Sequence, residues 1–164
     1  MKTSEFLAGH ELYFGHGTDN PDSEAQWLVV AVLTQQGMKK ISPDTTISAT
    51  TQQFIEKLLR RRVEDKIPMA YLLNEAWFAG HCFYVDERVL VPRSPFAELI
   101  DNEFEPLVID PPATILDLCC GSGCIGIACA LAFPDSEVLL TDNSREAIAV
   151  ANINIQRFEL GSRV

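Results

Sequence analysis

The pattern of hydrophobic and polar positions changes about halfway along the chain. Residues 27–33 are apolar nearly all round, which predicts a helix buried between others, and 54–63 carries apolar residues on one face at helical spacing. From residue 76 onward, short apolar runs are separated by turn residues, a pattern typical of strands. The sequence therefore predicts a helical domain over 1–75, followed by a region of mixed helices and strands.

Two long helices are predicted in the helical domain. Asp19 or Asn20 can cap the first helix, which has Pro21 in its first turn, and the second begins near Thr50 and ends by Pro68. The basic residues outside the apolar face of the second helix are Lys57, Arg60, Arg61, Arg62 and Lys66. We interpret them as a solvated face balanced by acidic neighbours, with a contact strip for RNA as the alternative.

A hairpin is predicted where the pattern changes. Its strand-like runs are Trp77–Phe78, His81–Val85 and Arg88–Val91. Asp86–Glu87 has the polar composition of a turn between the last two runs. We expect this segment, 76–92, to connect the helical domain to a further domain over 93–164.

The most informative stretch is Ile115–Gly126, which runs from an apolar strand through a glycine-rich turn into a helix. Gly121 and Gly123 permit positive φ and let the backbone approach a ligand closely. The N-terminus of the helix adds free N–H donors and partial positive charge. This order of strand, turn and helix predicts a site for a small ligand.

The residues of the turn are compatible with two ligands. Gly121, Gly123 and Gly126 match the Gly-x-Gly-x-x-Gly pattern of dinucleotide sites. Asp117, however, would repel a pyrophosphate and suits the cationic methionine end of S-adenosylmethionine. Asp142 follows the next predicted strand, where it either accepts hydrogen bonds from ribose hydroxyls or caps the following helix. A tight turn without a ligand is the third interpretation.

Composition and charge narrow the class of protein. Apolar residues make up 47% of the chain and charged residues 22%, which is typical of a globular protein. No apolar run approaches the roughly 20 residues that span a bilayer, and the start lacks a signal-peptide pattern. We therefore expect a cytoplasmic protein with no membrane partner. The net charge of −10 argues against free nucleic acid as the main partner and favours a basic protein.

The cysteines do not predict a metal site. The chain has five of them, Cys82, Cys119, Cys120, Cys124 and Cys129. The four that crowd into one turn and helix form no Cys-x-x-Cys pair and have no nearby histidine, so no metal ligands are assigned. We expect the last two to behave as small buried hydrophobic residues.

Three stretches together resemble a known family. Ile115–Gly126 resembles the first motif of class I S-adenosylmethionine-dependent methyltransferases. With Val89–Pro95, Tyr13–Asn20 and cysteine at 119, the chain is similar to bacterial protein-glutamine methyltransferases that act on large-subunit ribosomal protein L-three. The resemblance implies S-adenosyl-L-methionine as cofactor and a basic ribosomal protein as substrate. The residues that it implies as cofactor contacts are Asp117, Cys119, Gly121, Ser122, Gly123 and Asp142.

The resemblance also implies a fold of the α/β class. We expect an N-terminal helical domain for substrate recognition and a Rossmann-like class I methyltransferase fold over 93–164, truncated after its second βα unit. In this family the loop at Arg93 and Glu98 lies over the active site, so these residues either shape the cofactor or substrate pocket or form a structural ion pair.

No catalytic residue is assigned. The resemblance implies an Asn-Pro-Pro-Tyr motif that holds the glutamine amide, and this sequence does not contain it. Asp110–Ala113 is not that motif, because Ala113 is not aromatic and the segment precedes the first strand of the cofactor domain. We therefore expect this chain to be inactive on its own.

The two predicted strands would each keep an unpaired edge. Such edges invite pairing with another chain, so we expect a dimer through this region. Three alternatives to the main hypothesis stay open: a release-factor glutamine methyltransferase, an NAD-binding oxidoreductase, and a non-catalytic module that binds cofactor or protein.

Overall fold

The computed structural model of the chain describes residues 1–8 and 21–164. The Tyr13–Asn20 stretch, and with it the helix cap predicted at Asp19 or Asn20, lies outside the described residues. The chain divides into two compact units, Met1–Leu73 and Asn74–Val164. The assignment of substrate recognition to the first unit stays a prediction.

The described part of the first unit contains four helices: α1 (Thr3–Ala8), α2 (Pro21–Gln35), α3 (Ala49–Glu64) and α4 (Met69–Leu73). Its hydrophobic core lies between α2 and α3, where Leu28, Leu33 and Ile55 are fully buried. An isolated antiparallel bridge pairs Lys2 with Thr46 and joins the start of α1 to the connection between α2 and α3. The long helices in this unit therefore bury each other's apolar faces, as helical spacing predicts.

The buried face of α3 differs in part from the predicted one. Arg62 is only 4% exposed, and its Nε donates a hydrogen bond to the Glu24 carboxylate at 2.9 Å. It follows Leu58 and Leu59 by four and three residues, so the helical period places it on the same face. Val63, predicted on the apolar face, is 36% exposed. The predicted strip of five exposed basic residues is therefore wrong at Arg62.

The second unit begins with a hairpin of two strands, β1 (Ala76–Phe78) and β2 (His81–Phe83). The chain turns through Ala79 and Gly80, both with positive φ, as a two-residue hairpin turn requires. Phe78 and Phe83 are buried in the hydrophobic core of this unit. The structure thus builds the hairpin into the second unit, whereas the sequence predicted a separate connector over 76–92.

The third strand predicted over Arg88–Val91 is wrong. Residues 84–95 are irregular, and the Asp86 carboxylate accepts a hydrogen bond from the backbone N–H of Arg88 at 3.1 Å. The Arg88 guanidinium also donates to Asp86, with distances of 2.6–3.0 Å. Such local bonds from a side chain compete with a strand ladder for backbone donors.

Helices and strands alternate after this loop: α5 (Phe96–Asp101), β3 (Thr114–Leu118), α6 (Cys124–Ala132), β4 (Glu137–Thr141) and α7 (Arg145–Arg157). β3 and β4 pair in parallel, with Ile115 opposite Val138 and Leu118 opposite Thr141. Ile127 of α6 is fully buried in the core, beside both strands. The predicted strand over 137–141 and the predicted βα succession are confirmed.

The two faces of the β3–β4 sheet differ. Val138 is 6% exposed on the face that packs against α6, whereas Leu116, Leu118 and Leu139 are 57–67% exposed. Within the described residues, neither strand has a further strand beside it. The sheet therefore carries an uncovered apolar face, and the predicted association through this region stays a prediction.

Candidate functional site

The turn between β3 and α6 is built from left-handed residues. Cys119, Gly121 and Gly123 have φ of 60°, 55° and 77°. Glycine adopts this region freely, whereas a residue with a Cβ pays roughly 1–2 kcal/mol. Between them, Cys120 and Ser122 are 7% and 3% exposed. The alternation folds the chain back at the end of the strand and leaves Cys119 exposed and Gly121 half-buried.

Asp142 links this turn to the start of α7. Its Oδ2 accepts a hydrogen bond from the N–H of Gly121, and its Oδ1 accepts one from the N–H of Ser144, both at 2.9 Å. These two bonds lower the pKa of Asp142, so the carboxylate is charged at neutral pH. Ser144 is the cap of α7, because its Oγ accepts from the N–H of Ala147 at 3.1 Å. Asp142 is therefore not itself the helix cap.

Asp117 holds the other end of the turn. Its Oδ2 accepts a hydrogen bond from the N–H of Gly126 in α6 at 2.9 Å. Burial raises the pKa of Asp117, the Gly126 bond opposes that rise, and the charge of Asp142 adds to it. A Cβ at Gly126 would lie 2.2 Å from Cδ2 of Leu140 and 3.0 Å from Oδ2 of Asp117. The third glycine of the pattern is therefore required by close packing of helix and strand.

A cavity of about 440 Å³ lies between the turn and the loop at 88–94. This volume is in the range of small-molecule sites. Four of the six residues predicted to contact a cofactor line it: Cys119, Gly121, Ser122 and Asp142. Asp117 and Gly123 are not on its wall. Asp117 is bonded to α6, and a Cβ at Gly123 would lie 3.0 Å from Leu140.

The cavity wall carries charges of both signs. Asp142 is the acid on the turn, and Arg88 and Arg93 come from the loop. Arg88 is paired with Asp86, and the hydrogen bonds that Arg88 donates lower the pKa of Asp86 to about 2. Among the described residues, exposed Arg93 has no hydrogen-bond or ion-pair partner. The wall thus offers both an acceptor for hydroxyl groups, at Asp142, and a cation, at Arg93. Glu98, also predicted to shape the pocket, is exposed and does not line the cavity.

Hydrogen bonds among residues that belong to none of the sequence motifs described above connect the segments around this site. Asn154 of α7 and Tyr84 are hydrogen-bonded to each other, and Tyr84 donates from its hydroxyl to Asp86 at 2.9 Å. Asn154 shares the buried face of α7 with Val150 and Ala151, at helical spacing. A polar residue at such a position is a signal that the sequence contains. Asp86 offers no comparable signal.

Two further features bear on the class of protein. In the part of the chain that the structure describes, no three histidine, cysteine, aspartate or glutamate side chains are placed to hold a metal ion. Over the same residues, every helix is too short or too polar to cross a membrane.

Comparison with known proteins connects this geometry to a family. Residues 97–164 match the methyltransferase small domain. The chain is 42% identical over 161 residues to a ribosomal protein uL3 glutamine methyltransferase of Francisella tularensis subsp. tularensis (strain SCHU S4 / Schu 4), covering 96% of this chain and 51% of that protein. It is 42% identical over 158 residues to the protein of the same name from Burkholderia pseudomallei (strain K96243), covering 94% and 51%. The chain spans about half the length of these curated relatives.

The resemblance noted in the sequence is therefore confirmed. The domain match over 97–164 indicates a class I methyltransferase fold, in agreement with the parallel β3–β4 pair and its helices. Residues 97–164 carry a methyltransferase small domain, and nearly the whole chain is homologous to proteins named ribosomal protein uL3 glutamine methyltransferase.

Proposed function

We propose that this chain is part of a protein-glutamine methyltransferase that binds S-adenosyl-L-methionine at the turn between β3 and α6 and methylates ribosomal protein uL3. The observation that carries the proposal is Asp142, a charged carboxylate fixed by two backbone N–H groups on the wall of a cavity of about 440 Å³. The names of the two relatives support the substrate, and the methyltransferase domain supports the cofactor.

The donor set of the site fits this cofactor. A Cβ at Gly121 would meet no atom of the described residues within 4 Å, so the part of the chain that the structure describes leaves space beside the turn for a ligand. Each carboxylate oxygen of Asp142 keeps a lone pair after its single backbone bond and can accept from a ribose hydroxyl. The negative charge of Asp142 on the cavity wall, with Asp117 behind the turn, favours a sulfonium over a pyrophosphate. Arg93 can pair with the carboxylate of the methionine end.

The residues of this chain bind and orient S-adenosyl-L-methionine, and the cofactor, when bound, supplies an electrophilic methyl group. Cys119 and Gly121 present backbone to the ligand, because their left-handed φ turns the chain towards the cavity wall. Asp142 fixes the ribose end, and Asp117 keeps α6 against the turn. Orientation of this kind lowers the barrier by removing the entropy of approach.

The acceptor amide needs groups that this sequence lacks. A glutamine amide nitrogen is a weak nucleophile because its lone pair is delocalised into the carbonyl. Acceptors for the amide hydrogens hold the nitrogen towards the methyl group and stabilise the developing positive charge. The Asn-Pro-Pro-Tyr motif that would provide them is absent from the 164 residues. We propose that the chain on its own binds cofactor without transferring a methyl group.

The charge distribution supports a basic protein substrate. Of the 23 acidic residues, 14 lie in 74–164, together with only 5 of the 13 basic residues. Complementary charge speeds encounter and favours the correct partner.

We propose that the helices of Met1–Leu73 add recognition of the substrate protein, which is cytoplasmic like the enzyme. The competing hypothesis, a release factor as substrate, predicts tighter binding of the chain to that factor than to uL3 in a direct comparison.

Substitution at Asp142 tests the cofactor site. We expect Asp142→Ala to weaken binding of S-adenosylhomocysteine about 10- to 100-fold in calorimetry, because it removes a charged acceptor. Asp135→Ala is the matched control, since Asp135 is exposed and does not line the cavity. Equal affinities for wild type and Asp142→Ala would remove Asp142 from the site.

A further inference from the structure

Asn154 is a polar residue in the core of the second unit. Its side chain is completely buried, on the face of α7 that also carries Val150 and Ala151. A buried amide costs free energy unless hydrogen bonds replace those that it made with water. Valine and alanine fill the neighbouring positions without that cost. The contacts of Asn154 therefore indicate what the amide contributes.

The amide of Asn154 is bonded to two separate segments. Its Oδ1 accepts from the N–H of Tyr84 at 2.7 Å, and its Nδ2 donates to the carbonyl of Tyr84 at 2.9 Å. The second hydrogen of Nδ2 is donated to the carbonyl of Ser122, also at 2.9 Å. Both donors are thus used, and the two segments lie far apart in the sequence. One is the glycine-rich turn, and the other is the start of the loop that follows β2.

Each of these segments leads to a wall of the cavity. Ser122 lies between the left-handed residues Gly121 and Gly123, so fixing its carbonyl fixes the orientation of the peptide in the centre of the turn. Tyr84 donates from its hydroxyl to Asp86, which in turn accepts three bonds from the Arg88 side chain. Arg88 begins the stretch 88–94 that forms the opposite wall.

We propose that Asn154 is a positioning residue that holds the two walls of the cavity, the turn at Ser122 and the loop that begins at Tyr84, at the spacing that the cofactor requires. This inference rests on the proposed function, because it assigns a role at the same site. Asn154 does not line the cavity and acts only through the two segments. An apolar residue of similar size would fill the space but leave both carbonyls without partners.

Two substitutions on the same helix separate positioning from plain stability. Asn154→Asp keeps the shape and replaces the two N–H donors by an acceptor that faces two carbonyls. Val150→Ala removes buried volume from a fully buried position that has no polar group for either wall. Asn152→Asp is the matched chemical control, since Asn152 is exposed and its amide donates to the carbonyl of Ile148 in its own helix.

The test measures the affinity for S-adenosylhomocysteine by calorimetry at a temperature where circular dichroism shows each variant folded. We expect Asn154→Asp to weaken binding about tenfold or more. Val150→Ala and Asn152→Asp should stay within about threefold of wild type, although Val150→Ala lowers the melting temperature. Equal affinities for Asn154→Asp and Val150→Ala would mean a purely structural role and would overturn the proposal.

A second measurement needs no ligand. Cys120 lies in the turn and is 7% exposed, whereas Cys119 is exposed, so alkylation by N-ethylmaleimide under native conditions reports how firmly the turn is held. We expect Asn154→Asp to speed alkylation of Cys120 relative to Cys119, and Val150→Ala to leave the ratio unchanged. If the alkylation ratio is unchanged in Asn154→Asp, the positioning role is contradicted, whether or not wild type binds cofactor. If wild type binds no cofactor, that result alone refutes only the proposed function.

Should Asn154→Asp fail to fold, Tyr84→Phe takes its place. It removes the hydroxyl bond to Asp86 and leaves the core of α7 intact. We expect an affinity for S-adenosylhomocysteine several-fold below that of wild type, measured at a temperature where circular dichroism shows the variant folded. Wild-type affinity in Tyr84→Phe would show that the loop does not depend on this chain of bonds and would overturn the proposal.

Discussion

Replacing Gly126 by alanine tests how closely α6 must approach β4. In most helices this substitution is favourable by about 1 kcal/mol, because alanine is the better helix former. In this structure the new Cβ would lie 2.2 Å from Cδ2 of Leu140 and 3.0 Å from Oδ2 of Asp117. Either Leu140 changes rotamer or α6 moves away, and movement of α6 would lengthen the hydrogen bond from Gly126 to Asp117.

The penalties outweigh the gain in helix propensity. Overpacking of a core costs about 1–3 kcal/mol. Weakening a hydrogen bond to a charged group costs up to about 1.5–3 kcal/mol. Against the gain of about 1 kcal/mol from helix propensity, we expect Gly126→Ala to lower the free energy of unfolding by about 2–4 kcal/mol.

Urea unfolding of wild type and variants measures this loss. Gly161→Ala is the control, because a Cβ there meets no atom of the described residues within 4 Å, and we expect a change within about 0.5 kcal/mol. The double variant Gly126→Ala, Leu140→Ala should lose less stability than the two single changes together, since the second substitution removes the clash. A Gly126→Ala variant as stable as wild type, or more so, would refute the close packing described for the turn.

Three other predictions follow from single side chains. The Arg88 hydrogen bonds hold the pKa of Asp86 at about 2, below its ordinary 3.8. The Asp86 carboxylate therefore stabilises the fold above about pH 4, and this stabilisation is lost as the pH falls through about 2. Asp86→Asn should flatten that acid limb of the stability curve, and an unchanged limb contradicts the assignment. We expect concentration-dependent association of the chain in analytical ultracentrifugation, and Leu139→Lys, on the uncovered sheet face, should reduce it. Equal association of wild type and Leu139→Lys would show that this face is not the interface. Cys119 should react with N-ethylmaleimide faster than Cys120, and S-adenosylhomocysteine should slow its reaction; a rate independent of ligand would place the ligand elsewhere.

Local signals in the sequence were sufficient for the central turn. The apolar run before Cys119, the spacing of the glycines and the strand at 137–141 all lie within about 30 residues, and the structure has strand, turn and helix in that order. Asp142 directly follows a predicted strand, and the structure places it on the cavity wall, whereas its contact with a ribose stays a prediction. These features depend on backbone preference and short-range order.

Contacts between distant residues could not be predicted in the same way. Arg88–Val91 has the composition of a strand, but a strand needs a neighbour, and the bonds from Asp86 fix the backbone differently. The bond between Tyr84 and Asn154 joins positions 70 residues apart, and nothing near either residue indicates its partner. Arg62 is different, because the helical period already places it with Leu58 and Leu59, and only its charge suggested an exposed position.

A comparison of S-adenosylhomocysteine with NADH shows whether the turn between β3 and α6 is a methyltransferase cofactor site. The 164-residue chain is titrated in a calorimeter with S-adenosylhomocysteine and, separately, with NADH under the same conditions. We expect saturable binding of S-adenosylhomocysteine and at least about tenfold weaker binding of NADH, because the charge of Asp142 on the cavity wall, with Asp117 behind the turn, disfavours an anionic pyrophosphate. Tighter binding of NADH would contradict the methyltransferase account and favour an oxidoreductase.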